Sequence, residues 1–253
     1  MAIESVLTQI GPSYELIVVD DGSTDDTPGQ VRQYEGRVDF YRQSQKGVAA
    51  ARNYGARVSR GRYLAFLDSD DLWLPRKLGV QTQFMQNHSS AKICQTEEIW
   101  LRRGVRVNPR KRHAKPSGDI FHRSLELCLV SPSAVMIDRP LFDSLGGFDE
   151  SLPVCEDYDL WLRIARNHEV HLIPDALVIK HGGHSDQLSR STWGLDRFRI
   201  KALTKLLRED LTAEQRLAVI DTIRSKSAIL AQGARKRGHY AQAQEFEAGA
   251  NWA

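Results

Sequence analysis

The chain has 253 residues, of which 35 are Lys or Arg and 32 are Asp or Glu, for a formal net charge of +3. This length is enough for one α/β domain with a real hydrophobic core and a smaller attachment. No apolar run approaches the roughly 18 residues of a membrane-spanning helix, and no signal peptide is recognisable at the N-terminus. Three scattered cysteines without metal-ligand spacing predict reduced thiols and a cytoplasmic location.

The positive charge is concentrated in one segment. Residues 102–115 hold seven Lys or Arg and no acidic residue, and the rest of the chain has 28 basic against 32 acidic side chains. A single basic patch without interleaved aromatic residues argues against a nucleic-acid-binding protein. It is compatible with a loop that touches anionic lipid, so we predict peripheral membrane contact, at the inner face, through residues 102–115.

The first part of the chain alternates between helices and strands. In chain order, the pattern predicts a helix over 2–10, a strand over 14–20, a helix that ends near 34, a strand over 38–42, a helix over 46–60 and a strand that begins at 63. This alternation predicts a parallel, doubly wound sheet.

The strand that begins at Tyr63 runs directly into acidic residues. Its apolar run ends at Leu67 and continues as Asp68-Ser-Asp70-Asp71. Ligands of open α/β sheets bind outside the carboxyl ends of the strands. Three carboxylates within four positions repel one another unless a cation lies between them, and Mn²⁺ or Mg²⁺ with a substrate phosphate is the ligand class that suits such oxygens. The alternative is a polar turn that caps the next helix, and we expect that role for Asp71.

The second half of the chain changes from a mixed pattern to a purely helical one. The predicted elements are a helix over 76–87, a strand over 91–96, a short helix over 120–128, a strand over 133–137, a short helix over 140–145, a helix over 156–168 and short strands over 170–173 and 176–179. From about residue 194 only helical patterns remain. We therefore predict a domain of residues 1–193 and a C-terminal helical appendage of residues 194–253.

Four features occur in a fixed order along the chain. They are Asp20-Asp21-Gly-Ser after one strand, Arg52-Asn53 in a helix, Asp68-Ser-Asp-Asp after another strand, and Glu156-Asp157 at the start of a later helix, beyond Gly-Gly-Phe-Asp. Each motif alone is weak, but their order and strand context are specific. Over residues 2–193 the chain resembles the family 2 glycosyltransferases, inverting enzymes with the GT-A fold. The resemblance implies an α/β fold with a mixed, mainly parallel sheet flanked by helices.

The resemblance also implies which residues bind the nucleotide-sugar donor. Asp20 and Asp21 match an acidic motif that contacts the base or ribose, and Asp68 matches a second ribose contact. Arg52 matches a basic residue that meets the donor nucleotide, with a solvated helix face as the alternative. Asp70 matches the residue that holds Mn²⁺ or Mg²⁺ under the donor diphosphate.

Asp157 matches the catalytic base of the family. An inverting transfer needs one carboxylate to take the proton of the acceptor hydroxyl, and a helix N-terminus favours an ionised carboxylate. The alternative is that Glu156 and Asp157 are ordinary first-turn acids. Farther along, His181 and His184 flank a Gly-Gly pair, and the commoner interpretation is plain loop histidines rather than metal ligands.

The chain departs from the family at its start. Family members open with a strand that ends in Pro-Thr-Tyr-Asn, whereas this chain begins with the helix expected to follow that strand. Such a strand would be central in a doubly wound sheet, so the strands at Tyr14 and Tyr63 would have facing unpaired edges. We expect that the true start lies upstream, that the two edges pair with each other, or that another segment fills the gap.

These expectations give a leading hypothesis and an alternative. The leading hypothesis is a metal-assisted inverting glycosyltransferase that moves a sugar from a nucleotide-diphosphate donor to a glycan or lipid-linked acceptor in cell-surface polysaccharide synthesis. The alternative is a non-catalytic nucleotide- or partner-binding module derived from the same fold. The missing strand favours the module, and the intact Asp68, Asp70 and Asp157 oppose it.

Overall fold

The computed structural model describes residues 1–108, 113–183 and 192–249. The described helices are α1 (Ala2–Leu7), α2 (Thr27–Arg32), α3 (Val48–Val58), α4 (Lys77–Asn87), α5 (Phe121–Glu126), α6 (Arg139–Ser144), α7 (Glu156–Ala165), α8 (Leu195–Leu206), α9 (Ala213–Lys236) and α10 (Tyr240–Gly249). The described strands are β1 (Ile17–Asp20), β2 (Asp39–Arg42), β3 (Tyr63–Leu64), β4 (Leu72–Trp73), β5 (Ile93–Arg102), β6 (Val105–Val107), β7 (Val135–Asp138) and β8 (His171–Gly182). None of the helices in these ranges is long and apolar enough to cross a bilayer.

The described strands form two sheets. β1 and β2 pair in parallel as a two-stranded sheet, and the other strands follow the order β3-β7-β5-β8-β4, with β6 paired to β5. In the larger sheet the long β5–β8 pairing is parallel and the remaining pairings of described strands are antiparallel. The predicted mixed α/β sheet flanked by helices is confirmed. Parallel pairing is confined to β1–β2 and β5–β8, because β3 and β4 find partners far along the chain, and strand–helix alternation does not constrain such pairs.

The two strands that were expected to have facing edges lie in separate sheets. Among the described residues, β1 pairs with β2, β3 pairs with β7, and no ladder joins β1 to β3. Residues 2–7 are helical, as predicted, and supply no strand. This N-terminal segment packs near β4, since Val6 is buried and the Ile10 backbone N–H donates to the Pro75 carbonyl over 2.7 Å.

Strand β8 is one twelve-residue strand where the sequence predicted two short ones. Its register along β5 shifts where Pro174 and Asp175 are skipped between Ile173 and Ala176. Proline has no N–H to donate to a ladder, so the chain bulges there and pairing then resumes. As a result, the strand continues to Gly182 and stays paired with β5 as far as Arg102, the last residue of β5.

The main hydrophobic core lies between the larger sheet and the helices that cover it. Helix α7 contributes its inward face, and Trp161 on that face is buried. Leu203 and Leu206 of α8 and Ile223 of α9 belong to the same core, each at most 1% exposed. Helices beyond residue 193 therefore share a core with the preceding residues, and the boundary at 193 stays a prediction from the sequence pattern.

Candidate active site

Asp68, Asp70 and Asp71 lie together in the turn between β3 and β4. Each offers one carboxylate oxygen, and these three oxygens lie within 4.8 Å of one another. Asp71 is buried, Asp68 is half-buried and Asp70 is exposed. A cluster of carboxylate oxygens is the donor set that Mg²⁺ and Mn²⁺ prefer, so these residues fit the ion that the sequence implies.

The expectation that Asp71 caps a helix is wrong. Helix α4 begins only at Lys77, and the Asp71 carboxylate turns inward. Its Oδ2 accepts a hydrogen bond from Ser133 Oγ (2.7 Å), and its Oδ1 accepts one from the His181 backbone N–H (3.0 Å). Burial raises the pKa of Asp71 to about 6, against the lowering effect of Lys180. Asp71 thus ties the acidic turn to β8 and to the turn that precedes β7.

Arg52 joins this acidic turn to the second acidic motif. On α3, its Nη2 lies 2.6 Å from Asp68 Oδ1 and its Nη1 lies 2.7 Å from Glu156 Oε1. The guanidinium also lies over the Phe148 ring, 5.2 Å from the centroid. The side chain is 12% exposed, so the alternative of a solvated helix face is wrong. Burial opposes ionisation of Asp68, but Arg52, Lys180 and Ser133 together outweigh it and hold the pKa of this carboxyl below its ordinary value.

Glu156 is the partner of Arg52 to which the sequence assigned no separate role. It is 6% exposed at the start of α7. Burial, reinforced by the charge of Asp157, raises the pKa of Glu156 to about 7 against the opposing effect of Arg52. A first-turn acid is normally solvated, and only the tertiary contact with Arg52 distinguishes this one.

The predicted base, Asp157, is the second residue of α7. Its Oδ1 accepts a hydrogen bond from the Tyr158 backbone N–H (2.7 Å), and its Oδ2 lies 3.4 Å from Cys128 Sγ. Burial, with the Asp157 charge in addition, raises the pKa of Cys128 well above its ordinary value. The thiol is therefore protonated at neutral pH and donates to the carboxylate. Asp157 is half-buried, which leaves it accessible to an acceptor hydroxyl.

A lysine that sequence reasoning did not single out lies among these acids. Lys180 on β8 donates to Ser131 Oγ (2.9 Å), and its Nζ lies 4.0 Å from Asp71 Oδ2. Burial disfavours its charge, but Glu98 and Asp71 outweigh burial and raise the pKa of Lys180. A lone lysine in a strand pattern gives no sequence signal of such a position. The adjacent His181 has a buried ring Nδ1 without a hydrogen-bond partner among the described residues, whereas His184 lies outside them.

The first acidic motif is built differently. Asp20 is 3% exposed, accepts a hydrogen bond from the Ser23 backbone N–H (2.8 Å) and lies 3.1 Å from Arg42 Nε. Asp21 accepts hydrogen bonds of 2.7–2.8 Å from one side chain and two backbone N–H groups, those of Gln43, Lys46 and Gly47. These contacts bind both carboxylates to β2 and to the loop that opens α3, the helix that carries Arg52. The structure therefore brings Arg52, Asp68, Asp70 and Asp157 to one assembly and places Asp20 and Asp21 at the loop beside it.

Comparison with known proteins identifies the family. The family model described as "Glycosyl transferase family 2" matches residues 1–145. The chain belongs to glycosyl transferase family 2. The resemblance predicted from the four motifs is thereby confirmed.

Curated relatives of this family 2 chain match 54–70% of its length. It is 32% identical over 174 residues, 68% of its length, to the Escherichia coli protein named UDP-Glc:alpha-D-GlcNAc-diphosphoundecaprenol beta-1,3-glucosyltransferase WfgD, of which the match covers 66%. It is 37% identical over 142 residues to a putative teichuronic acid biosynthesis glycosyltransferase, TuaG, of Bacillus subtilis, with 54% of this chain and 55% of TuaG covered. Other relatives, uncharacterized glycosyltransferases of Rickettsia species, are longer, and the matches span only 24–57% of three of them.

Solved structures of other glycosyltransferases share the fold of this family 2 chain. S. aureus TarS 1–349 in complex with UDP-GlcNAc superposes with a TM-score of 0.69 at 15% identity, covering 99% of this chain and 87% of TarS. The mannosyltransferase PcManGT from Pyrobaculum calidifontis, in complex with GDP-Man and Mn²⁺, gives a TM-score of 0.62 at 16% identity, with 98% and 80% covered. These likenesses confirm the predicted GT-A fold.

Proposed function

We propose that this chain is an inverting glycosyltransferase that moves a sugar from a nucleotide-diphosphate donor to a glycan or lipid-linked acceptor, assisted by Mn²⁺ or Mg²⁺, in cell-surface polysaccharide synthesis. The observation that carries the proposal is the double ion pair of Arg52 with Asp68 and Glu156. It makes the metal-binding carboxylates and the neighbour of the base Asp157 parts of one assembly. A donor diphosphate and an acceptor hydroxyl have to meet in such a place.

The proposed transfer involves one proton transfer and the replacement of one C–O bond by another. The acceptor oxygen attacks the anomeric carbon on the face opposite the diphosphate, so a new C–O bond forms while the bond to the diphosphate oxygen breaks. Asp157 takes the hydroxyl proton, and its Cys128 and Tyr158 hydrogen bonds keep the carboxylate in place. A divalent ion held by Asp68, Asp70 and Asp71 would supply charge stabilisation for the diphosphate.

Two further assignments belong to the donor nucleotide. We propose that Asp20 and Asp21 face its base or ribose from the loop they order, and that Asp68 meets its ribose. Arg52 is proposed to meet the donor nucleotide beside Asp68, since Glu156 and Asp68 engage only two of its five N–H donors.

The relatives support the substrate classes of this proposal. The name of WfgD specifies a UDP-Glc donor and a diphosphoundecaprenol-linked acceptor, and that of TuaG specifies teichuronic acid biosynthesis. TarS and PcManGT have been solved with UDP-GlcNAc and with GDP-Man and Mn²⁺. A nucleotide-diphosphate sugar is common to these names, and a lipid-linked acceptor appears in one of them.

Peripheral membrane contact through residues 102–115 is also part of the proposal. Residues 109–112 of this segment lie outside the described residues. Lys115 does not contribute to a surface patch, since its side chain is 7% exposed and lies 3.2 Å from Glu98. Binding to anionic liposomes at low salt that disappears at high salt is the expected result, and absence of binding at low salt would reject membrane contact.

The function is tested by thermal stability against UDP-, GDP- and dTDP-sugars, each with and without Mn²⁺. We expect stabilisation by one nucleotide class in the presence of metal, and its loss in Asp70→Ala. The matched control is Asp221→Ala, which removes an exposed carboxylate on α9 and should respond like the wild type. Nucleotide binding without release of nucleoside diphosphate in the presence of acceptor would favour the non-catalytic module, and a flat panel would contradict the proposed donor.

A further inference from the structure

We propose that Lys180 is a further catalytic residue, whose ammonium group binds the diphosphate as it leaves the donor sugar. The inference rests on the proposed function, because it deepens the chemistry of the same site. Lys180 is the third residue from the end of strand β8. The next residue, His181, donates its backbone N–H to Asp71. The side chain therefore reaches the acidic turn from the sheet, whereas Arg52 reaches it from α3.

The ammonium of Lys180 is anchored from behind. Ser131 Oγ accepts one of its hydrogen bonds, and the buried carboxylate of Glu98 lies behind that hydroxyl and attracts the same charge. Glu98 itself is 2% exposed and is balanced by Lys115, 3.2 Å away. Because Lys115 balances the charge of Glu98, Glu98 does not depend on Lys180 as its counter-ion. The contact with Ser131 fixes the direction of the lysine side chain and uses only one of its N–H donors.

The open side of Lys180 faces the carboxylates. Its Nζ lies 4.0 Å from Asp71 Oδ2, beyond hydrogen-bond length, while the side chain is 29% exposed. An ammonium has three N–H donors, and the contacts of the described residues occupy one of them, toward Ser131. Arg52 differs, because two carboxylates at 2.6 and 2.7 Å already compensate its charge. Among the described residues, the Lys180 ammonium has no carboxylate at hydrogen-bond distance, so its charge remains for an incoming anion.

The charge that develops in the transfer fits this position. When the bond between the anomeric carbon and the diphosphate oxygen breaks, its electron pair goes to that oxygen, so the diphosphate becomes more negative. The acceptor proton goes to Asp157, and Lys180 keeps its own protons throughout. A fixed ammonium near developing negative charge stabilises the transition state without reorganisation.

The proposal predicts effects of opposite sign on two binding equilibria. A cation beside the acidic turn opposes binding of a second cation, so Lys180→Met should bind Mn²⁺ alone about threefold more tightly, as like-charge repulsion is removed. With Mn²⁺ saturating, the same variant should bind UDP or GDP about tenfold more weakly, because a charge-assisted hydrogen bond to phosphate is lost. A lysine that merely props up Asp71 would weaken both, and Asp71 keeps Ser133 and the His181 N–H in the variant.

The experiment measures Mn²⁺ binding by the free-Mn²⁺ electron paramagnetic resonance signal, and nucleotide binding by calorimetry at saturating Mn²⁺. The variants are Lys180→Met, Lys180→Arg and the control Lys92→Met. Lys92 also pairs with an aspartate, Asp138 at 3.3 Å, at the start of β5. The residue opposite Lys180 is Trp100, eight positions farther along that strand, so the control removes the same charge at roughly 26 Å from the site. Lys180→Arg should keep nucleotide affinity within about threefold, because it retains the charge.

The outcomes separate this inference from the function on which it rests. Tighter Mn²⁺ and weaker nucleotide binding in Lys180→Met, with Lys92→Met like the wild type, would support it. Unchanged binding, or weaker Mn²⁺ binding, in Lys180→Met beside a wild type that binds nucleotide would overturn the assignment of Lys180 alone. A wild-type chain that binds neither nucleotide would overturn the proposed function and the diphosphate role together.

Discussion

Two acidic motifs of this chain look alike in sequence and differ in their chemistry. Asp20-Asp21 and Asp68-Ser-Asp-Asp71 each follow an apolar run. Asp21 accepts three hydrogen bonds from the loop that opens α3, and Asp20 pairs with Arg42 of the neighbouring strand, whereas the second motif is balanced by Arg52 and Lys180 from distant elements. A carboxylate whose lone pairs are taken by nearby N–H groups orders its own loop. A carboxylate cluster that is balanced by cations keeps oxygens available for an ion.

The largest expected effect sharpens this comparison at α7. Asp157→Asn should lower turnover about 10³-fold, because the proton acceptor is lost while shape is kept. Thermal stability and nucleotide binding should stay at wild-type values. The matched control is Asp159→Asn, two residues along α7, where a 1% exposed carboxylate pairs with Arg163 and Lys205. That variant should lose stability, and an Asp157→Asn enzyme with wild-type turnover would remove Asp157 as the base.

The next effect concerns Arg52, the cation that joins Asp68 to Glu156. Arg52→Met leaves Asp68 and Glu156 without their shared partner, and breaking such a buried ion pair costs about 3–5 kcal/mol of unfolding free energy. Urea denaturation measures this loss. Lys92→Met, which removes a half-exposed pair with Asp138, should cost less than about 1 kcal/mol. Equal losses in the two variants would contradict the central role of Arg52.

The pH dependence of stability gives a third test, which concerns Glu156. The pKa of Glu156 is raised from 4.5 to about 7, so the folded state binds more protons than the unfolded state between these values. Unfolding free energy should therefore fall as the pH rises from 4.5 to 7, by on the order of 2–3 kcal/mol from this group. In Glu156→Gln that contribution should vanish. Between pH 4.5 and 7 the variant should therefore become more stable relative to the wild type as the pH rises. A difference that is constant from pH 4.5 to 8 would argue that Glu156 ionises normally.

The smallest expected effect tests the other side of the comparison. Asp21→Ala should cost about 1–3 kcal/mol of unfolding free energy, because three donors lose their acceptor. Its affinity for Mn²⁺ should equal that of the wild type, since Asp21 does not belong to the carboxylate cluster. Measured Mn²⁺ binding that fell with unchanged stability would break the distinction between the two motifs.

Local patterns predicted much of the fold. Residues 2–7 are helical and the acidic turn follows the Tyr63 strand, both as the sequence pattern indicated. Strand partners were less predictable, because pairing of β3 with β7 depends on contacts far apart in the chain. The continuity of β8 was also missed. Pro174 in the sequence indicates a break, and only the pairing with β5 shows that the strand bulges and continues.

The candidate site was predictable where several motif residues occur together and not where one residue acts alone. Asp68, Asp70 and Asp157 belong to patterns with recognisable order. Lys180 and Glu156 belong to the candidate site only because of what the fold places beside them, Asp71 at 4.0 Å from Lys180 and Arg52 at 2.7 Å from Glu156. Burial of a charge is a tertiary property, so composition and spacing carry no signal of it.

The packing of α8 has a consequence for how the surroundings of Asp157 could be changed. Its Lys205 lies 2.6 Å from Asp159 and 2.8 Å from Asp149, so a helix near the C-terminal end braces the helix that carries Asp157. The family signature ends at residue 145, before either helix begins. A mutational library confined to the signature would leave the bracing of the Asp157 helix untouched, whereas substitutions along α8 would reach it without altering a single motif residue.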